Sequence, residues 1–223
     1  PILQREWFGL VVEGLFDPST GLLTSPSGDG NSGVYHISPT SGDAQPDHLR
    51  YFRLAGRILG KALMEQHTVG ASLSLPLRKQ ILNLPITFSD LEFVDPALYR
   101  SLLYVKTCAP NDVGALDLDF TVAYPLSRGG VRTYELKPGG ADIAVTAENR
   151  EEYLQLVLSN RMLTATGSQV QWLLRGFYEI VPPDLRAVFD YQELDLLWCG
   201  LPGIDVEDWR SHTEYLGVYS SKH

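Results

Sequence analysis

Thiol chemistry in this chain would have to use Cys108 or Cys199, its two cysteines. A nucleophilic sulfur needs an adjacent base or a positive field to hold it as thiolate. Cys199 closes the apolar phrase LDLLWCGL, where a small buried thiol is the ordinary reading. Cys108 has Lys106 as its one nearby positive charge in sequence. The five histidines (His36, His48, His67, His212, His223) are scattered without metal-ligand spacing, so no metal site is expected. Gly28-Asp29-Gly30-Asn31-Ser32-Gly33 fits G-x-G-x-x-G. However, strand-like VYHIS follows it, where a pyrophosphate site needs a helix N-terminus. No P-loop, H-E-x-x-H, EF-hand loop, G-x-S-x-G elbow or C-x-x-C occurs. No cofactor and no complete catalytic set is expected. Residue chemistry alone describes an enzyme fragment or a binding module.

Apolar stripes are the remaining candidates. Leu98, Leu102 and Val105 fall at i, i+4 and i+7 of a helix predicted after Asp95-Pro96, an N-cap followed by proline at the first helical position. Leu116 and Leu118 share one face of a predicted strand, with Asp117 and Asp119 opposite. Tyr153 lies on a helix predicted after Thr146. Patterning alone leaves two readings for these six: a small core, or an open apolar groove.

The elements that must position them follow from periodicity and punctuation. Residues 5–16 carry Trp7, Val11 and Leu15 at helical spacing, with Phe8 and Val12 beside them, and end at Asp17-Pro18. Short strands are predicted at 22–25 and 34–38, with the polar, mobile loop SPSGDGNSG between them. The longest helix spans 46–66. Its Gly56 and Gly60 lie one turn apart and each sacrifices ~1 kcal/mol of propensity, which implies close approach to another element. A helix over 76–83 precedes the one at 96–107. Strands are predicted at 116–124 and 131–137, with a turn at Lys137-Pro138-Gly139-Gly140. Helices follow at 147–163, capped by Thr146, and at 168–180, 183–189 and 191–199, the last closed by Gly200. The predicted fold is α+β. A mostly helical large unit, 1–94 and 167–212, holds a smaller inserted α/β unit, 95–166.

Length and charge bound the function. A chain of 223 residues can bury one sizeable core or two small ones. No apolar run approaches the ~20 residues of a membrane span. The first residues lack the layout of a secretory signal, so an intracellular protein, cytoplasmic or nuclear, is expected. The net charge of −9 lacks the basic footprint of a nucleic-acid binder. Acidic residues concentrate from Glu179 onward, which reads as a solvated face or as a field that would steer a basic protein partner.

Six phrases resemble the N-terminal lobe of HECT-type ubiquitin ligases: REWFGLVVEGLFDPSTGLL, PDHLRYFRLAGRILGKAL, LEFVDPALYRSLLYV, LDLDFTV, YELKPGGADIAVTAENREEYLQLV and ELDLLWCGLPGIDVEDWRSHTEY. They occur in the family's order and cover nearly the whole chain. The resemblance implies a lobe that docks a ubiquitin-charged conjugating enzyme. Ubiquitin then passes to a cysteine of a C-terminal lobe, and from there to a lysine of a protein substrate selected by other regions. No residue here resembles that cysteine's motif, and 213–223 resembles the hinge between lobes. By resemblance, Leu98, Leu102, Val105, Leu116, Leu118 and Tyr153 line the groove that receives an aromatic loop residue of the conjugating enzyme.

Some positions depart from the family. A second, non-covalent ubiquitin site of some members uses aromatic residues at positions matching Thr20 and near Arg128, so that site is not expected. Cys108 stands where an aromatic residue often closes the groove, which implies a shallower one. Family domains carry helical sequence before the REWF phrase, so the chain is expected to be part of a longer protein. Two other functions stay open: a stand-alone module binding a conjugating enzyme or ubiquitin, and a self-sufficient thiol enzyme using Cys199 or Cys108.

Overall fold

Helical spacing and glycine placement decide the larger body. In a computed structural model describing residues 2–25, 33–126, 129–200 and 206–213, α1 (Ile2–Phe16) buries Phe8, Val12, Leu15 and Phe16. The buried stripe is rotated from the expected one, and Trp7 is half exposed. A 3-10 turn, Pro18–Thr20, follows, with Asp17 accepting from the Ser19 amide at 2.8 Å. β1 (Leu23–Thr24) pairs antiparallel with β2 (Val34–Ile37), Leu23 opposite Ile37. One helical turn, α2 (Ser41–Ala44), leads to α3 (His48–Met64), and β3 (Ser72–Leu73) adds parallel to β2 before α4 (Leu75–Ile81).

The next elements are α5 (Pro96–Thr107), the single turn α6 (Pro110–Val113), and the antiparallel pair β4 (Thr121–Pro125) and β5 (Val131–Glu135). α7 (Arg150–Ser159) runs into a π-helical turn, Asn160–Thr164, and then α8 (Gly167–Tyr178). α9 (Tyr191–Cys199) and α10 (Val206–Ser211) follow. The fold is α+β, helical in bulk, with a three-stranded sheet β1-β2-β3 and a separate β4-β5 ribbon.

α3 and α8 pack against each other along their length. A Cβ on Gly56 would fall on the carbonyl oxygen of Leu173, and one on Gly176 would fall on that of Arg53. The helices cross backbone to backbone, as the Gly56–Gly60 spacing implied. Gly176 is the matching partner, which sequence reading did not single out. Arg53 and Arg57 both reach Glu179 and clasp the outer side of this contact. Behind it Trp198 is fully enclosed, its indole N–H donating to the Leu59 carbonyl at 3.2 Å.

Apolar residues form two clusters. The first draws on α1, β2, α3, α4, α8 and α9. The second contains Leu91, Leu102, Val105, Val113, Phe120, Val145, Tyr153, Leu154, Val157 and Met162.

Three expectations change. The strand over 116–124 shortens to β4, because Leu116 ends a 3-10 turn and Asp117 turns left-handed at φ 50°, which breaks extension. Leu116 and Leu118 therefore do not share the face of a regular strand. Thr146 does not cap a helix. Its amide donates to the Asn149 carboxamide oxygen at 2.7 Å, and α7 starts at Arg150. Residues 183–187 form a 3-10 turn rather than an α-helix. Most of the G-x-G-x-x-G pattern and of the loop it sits in, Arg128, and 214–223 of the expected hinge lie outside the described residues.

Candidate functional site

The second cluster is built outward from α5. Asp95 accepts from the Leu98 amide at 2.9 Å through one oxygen and from Arg161 at 2.6 Å through the other. One carboxylate thus caps α5 and ties it to the π-helical turn after α7. The Arg161 guanidinium also lies 4.6 Å from the centre of the Tyr124 ring, whose hydroxyl donates to Asn160 at 2.6 Å. At the other end of α5, Arg150 donates to the Cys108 carbonyl at 3.0 Å, joining α5 to the start of α7.

The phrase ELKPGG makes a turn that fixes β5 against the cluster. Pro138 and Gly139 occupy its corner, Gly139 with φ 70°, and the Gly140 amide donates to the Lys137 carbonyl at 2.9 Å. The Glu135 carboxylate accepts from the Gly139 and Ala141 amides and closes the turn from outside. Gly140 is confined to glycine by space: a Cβ there would sit 2.5 Å from the Phe120 carbonyl oxygen. Lys137 lies over the Phe120 ring at 3.8 Å and pairs with Glu152 of α7 at 2.8 Å. Phe120 in turn meets Tyr153 edge to face at 5.6 Å.

All six sequence-derived residues pack in this second cluster. Leu102, Val105 and Tyr153 are enclosed, at 2%, 4% and 7% exposure, whereas Leu98, Leu116 and Leu118 are half-buried at its margin. Burial raises the Tyr153 phenol above its ordinary range, with the Asp119 charge adding to it. On the outer face of α5, Leu103 and Tyr104 face solvent, Tyr104 at 55% exposure, and Phe93 is exposed just before the helix. Sequence reading missed these three because they lie off the apolar stripe. The available signal was their size, since bulky apolar side chains on a helix's outer face are potential contact residues.

The Cys199 thiol is not activated. Cys199 donates to Asp195 at 3.5 Å, and burial followed by the Asp195 charge pushes it up to about 11. Asp195 is itself held by Ser72 at 2.8 Å and Arg78 at 2.9 Å, so this cluster is a brace between β3, α4 and α9. Cys108 is half-buried and donates to the Val105 carbonyl. Among the described residues no group of three histidine, cysteine or acidic side chains could hold a metal ion, and no helix is long and apolar enough to cross a membrane. The Thr20 hydroxyl is occupied locally by donating to the Asp17 carbonyl.

The apolar layer, the capped helix and the glycine turn are assembled from the same phrases that carried the resemblance. The family model described as HECT-domain (ubiquitin-transferase) matches residues 9–223. The chain belongs to the HECT-domain family. Curated relatives agree with it. The human E3 ubiquitin-protein ligase NEDD4 is 39% identical over 221 residues, which is 99% of this chain and 16% of that protein. The E3 ubiquitin-protein ligase HACE1 of Xenopus tropicalis is 39% identical over 216 residues, 96% of this chain and 23% of the relative. The E3 ubiquitin-protein ligase Nedd-4 of Drosophila melanogaster is 39% identical over 221 residues, covering 99% and 21%. This HECT-domain chain therefore spans less than a quarter of the length of these relatives.

Proposed function

We propose that this HECT-domain chain is the docking lobe of a ubiquitin-protein ligase. It receives a ubiquitin-charged conjugating enzyme and positions it for transfer to a thiol outside the residues present here. The protein then passes ubiquitin to a substrate lysine, and the substrate is chosen by other regions. In this reading the two apolar clusters correspond to a large unit (1–94 and 167–212) and a small docking unit (95–166). The packing of Leu91 with the second cluster favours a boundary somewhat before 94. Residues 213–223 lead toward a second lobe.

One observation carries the docking site. Leu98, Leu116 and Leu118 stay half-buried at the rim of an enclosed apolar layer, and Leu103 and Tyr104 are exposed on the same helix as Leu98. Leu102, Val105 and Tyr153 then form the floor that holds the rim in place, and the rim leucines make the contact. A shallow apolar rim suits a transient encounter of small buried area, after which a discharged carrier can leave. The raised Cys199 thiol and the locally bonded Cys108 support a role in positioning rather than attack.

The test mixes the purified chain with a ubiquitin-charged conjugating enzyme. Titration should show saturable binding, and a non-reducing gel should show no thioester on the chain. A reducible ubiquitin adduct on Cys108 or Cys199 would overturn the assignment in favour of a thiol enzyme. A stand-alone binding module is the second reading. The two separate on whether the gene's reading frame continues past His223 into a cysteine-bearing lobe.

A further inference from the structure

A cleft of about 680 Å³ lies where the two apolar clusters meet. One wall comes from the 3-10 turn after α1, from β1–β2 and from the residues after β2. The other comes from Asp95, Tyr124, Arg161 and Thr166. It lies apart from the rim leucines of the docking site, none of which lines it.

Its walls hold two buried polar atoms with no partner among the described residues. His36 Nε2 and Thr166 Oγ1 make no hydrogen bond, and their side chains are 3% and 0% exposed. An unpaired buried polar atom is destabilising, and such atoms are uncommon in folded proteins. A guest in the cleft could restore the missing bonds. Arg161, on the same wall, uses one nitrogen for Asp95 and has further N–H groups directed by its planar fork. Both Asp95 oxygens are already engaged, by Leu98 and Arg161, so the one carboxylate of the lining is neutralised. The wall thus combines a guanidinium, a threonine hydroxyl, an imidazole nitrogen and the hydroxyl of Ser19, while the Thr40 hydroxyl already donates to the Pro125 carbonyl at 3.2 Å. That set is rich in donors and suits an oxyanion.

We propose that this cleft binds a small oxyanion, a phosphate or a carboxylate, held by Arg161, Thr166 and His36, which bridges the two halves of the chain. His36 takes part as a neutral ring. Its Nδ1 lies 2.8 Å from the Ser74 hydroxyl, and an oxyanion selects the tautomer in which Ser74 donates to Nδ1 and Nε2 carries the proton. A bound anion that touches both walls stabilises their mutual arrangement by mass action.

The test compares thermal unfolding and ¹H–¹⁵N spectra of the whole chain during titration with inorganic phosphate, with acetate, and with chloride at matched ionic strength. The expected result is a saturable rise in Tm, with shifts confined to the His36, Tyr124, Arg161 and Thr166 region. Phosphate giving the larger response identifies a phosphate site, and acetate a carboxylate site. Thr166→Val keeps the packing volume and removes the orphan hydroxyl. It should be at least as stable as the parent without anion, yet bind about tenfold more weakly. His36→Phe should show the same weakening. A response that does not saturate, or that persists unchanged in Thr166→Val, reflects general exclusion of the salt from the protein surface and overturns the proposal. Shifts centred elsewhere overturn it as well.

Discussion

Gly176 of α8 lies directly against the backbone of Arg53 of α3, so close that a Cβ would land on the Arg53 carbonyl oxygen. Gly56 makes the reciprocal contact with Leu173. The obstructing atoms are backbone, which cannot rotate aside as a flexible side chain can. Gly176→Ala and Gly56→Ala should each destabilise the chain by about 3 kcal/mol, read as a lower midpoint in urea unfolding. Gly60→Ala is gentler, since its nearest neighbours stand at 3.1 Å and the alanine gains about 1 kcal/mol of helix propensity. Its net change should stay within about 1 kcal/mol. Gly14→Ala, with open space around it, should be neutral or stabilising. An unchanged midpoint for Gly176→Ala would show that the helices do not cross this closely.

Gly56 and Gly60 were legible because glycine inside a strong helical pattern is costly and calls for a reason. Gly176 was not, because RGFY carries no repeat to mark it. The strand ending at Tyr124 was over-read for a related cause. LDLDF alternates correctly, but alternation does not report the left-handed turn at Asp117, which only the folded backbone reveals. Helix starts were similarly ambiguous. Thr146 and Asn149 both suit an N-terminal position, and the Asn149 side chain was placed by its bond to the Thr146 amide.

His36 predicts a pH dependence. Burial, reinforced by the nearby Arg161 charge, lowers its pKa from 6.5 to about 4. The unfolded chain therefore takes up a proton below 6.5 that the folded chain refuses until about 4. This contribution to stability is fully present above pH 6.5 and is lost as pH falls through that window, up to about 3 kcal/mol. His48, also lowered by burial against the opposing Asp43 charge, acts in the same direction to a smaller extent. Denaturant midpoints measured from pH 7 to pH 4 should fall steeply in the parent and less in His36→Gln. Parallel profiles would show that the buried ring is not responsible.

Asp90 acts at lower pH. Its burial opposes ionisation, but bonds from Lys79 at 2.8 Å and from Thr87 outweigh that, and the carboxyl is held below its usual 3.8. A depressed carboxylate stabilises the fold above the unfolded value and loses that contribution as pH drops through the folded one. The stability gap between the parent and Asp90→Asn should be constant near neutrality and should shrink below pH 3.8. A gap that stays constant in acid would contradict the assigned pairing.

The site was less legible than the fold. The spacing of Leu98, Leu102 and Val105 correctly marks one face of α5, but it cannot say how deep each residue lies. Depth depends on what the other elements bring. Tyr153 and Phe120 close over Leu102 and Val105, while Leu98 stays at the edge. The exposed Tyr104 lies outside any stripe, because a side chain on the outer face of a helix has no core to impose a period.

Depth also decides which substitutions probe docking. Leu102→Asp would place a charge in a site 2% exposed and would unfold the small cluster, so a loss of binding there would be uninformative. Leu102→Ala should cost about 2–5 kcal/mol of stability, with any binding defect tracking the unfolded fraction. Tyr104→Ala removes a ring that faces solvent, so its stability should change by less than about 0.5 kcal/mol. If the rim of α5 receives the conjugating enzyme, the same change should weaken titrated binding by about tenfold, as loss of an aromatic contact does. Leu98→Ser should act in the same direction with a modest stability loss. Normal binding by both Tyr104→Ala and Leu98→Ser, with native circular dichroism, would move the docking surface off this helix and leave the second cluster as a core alone.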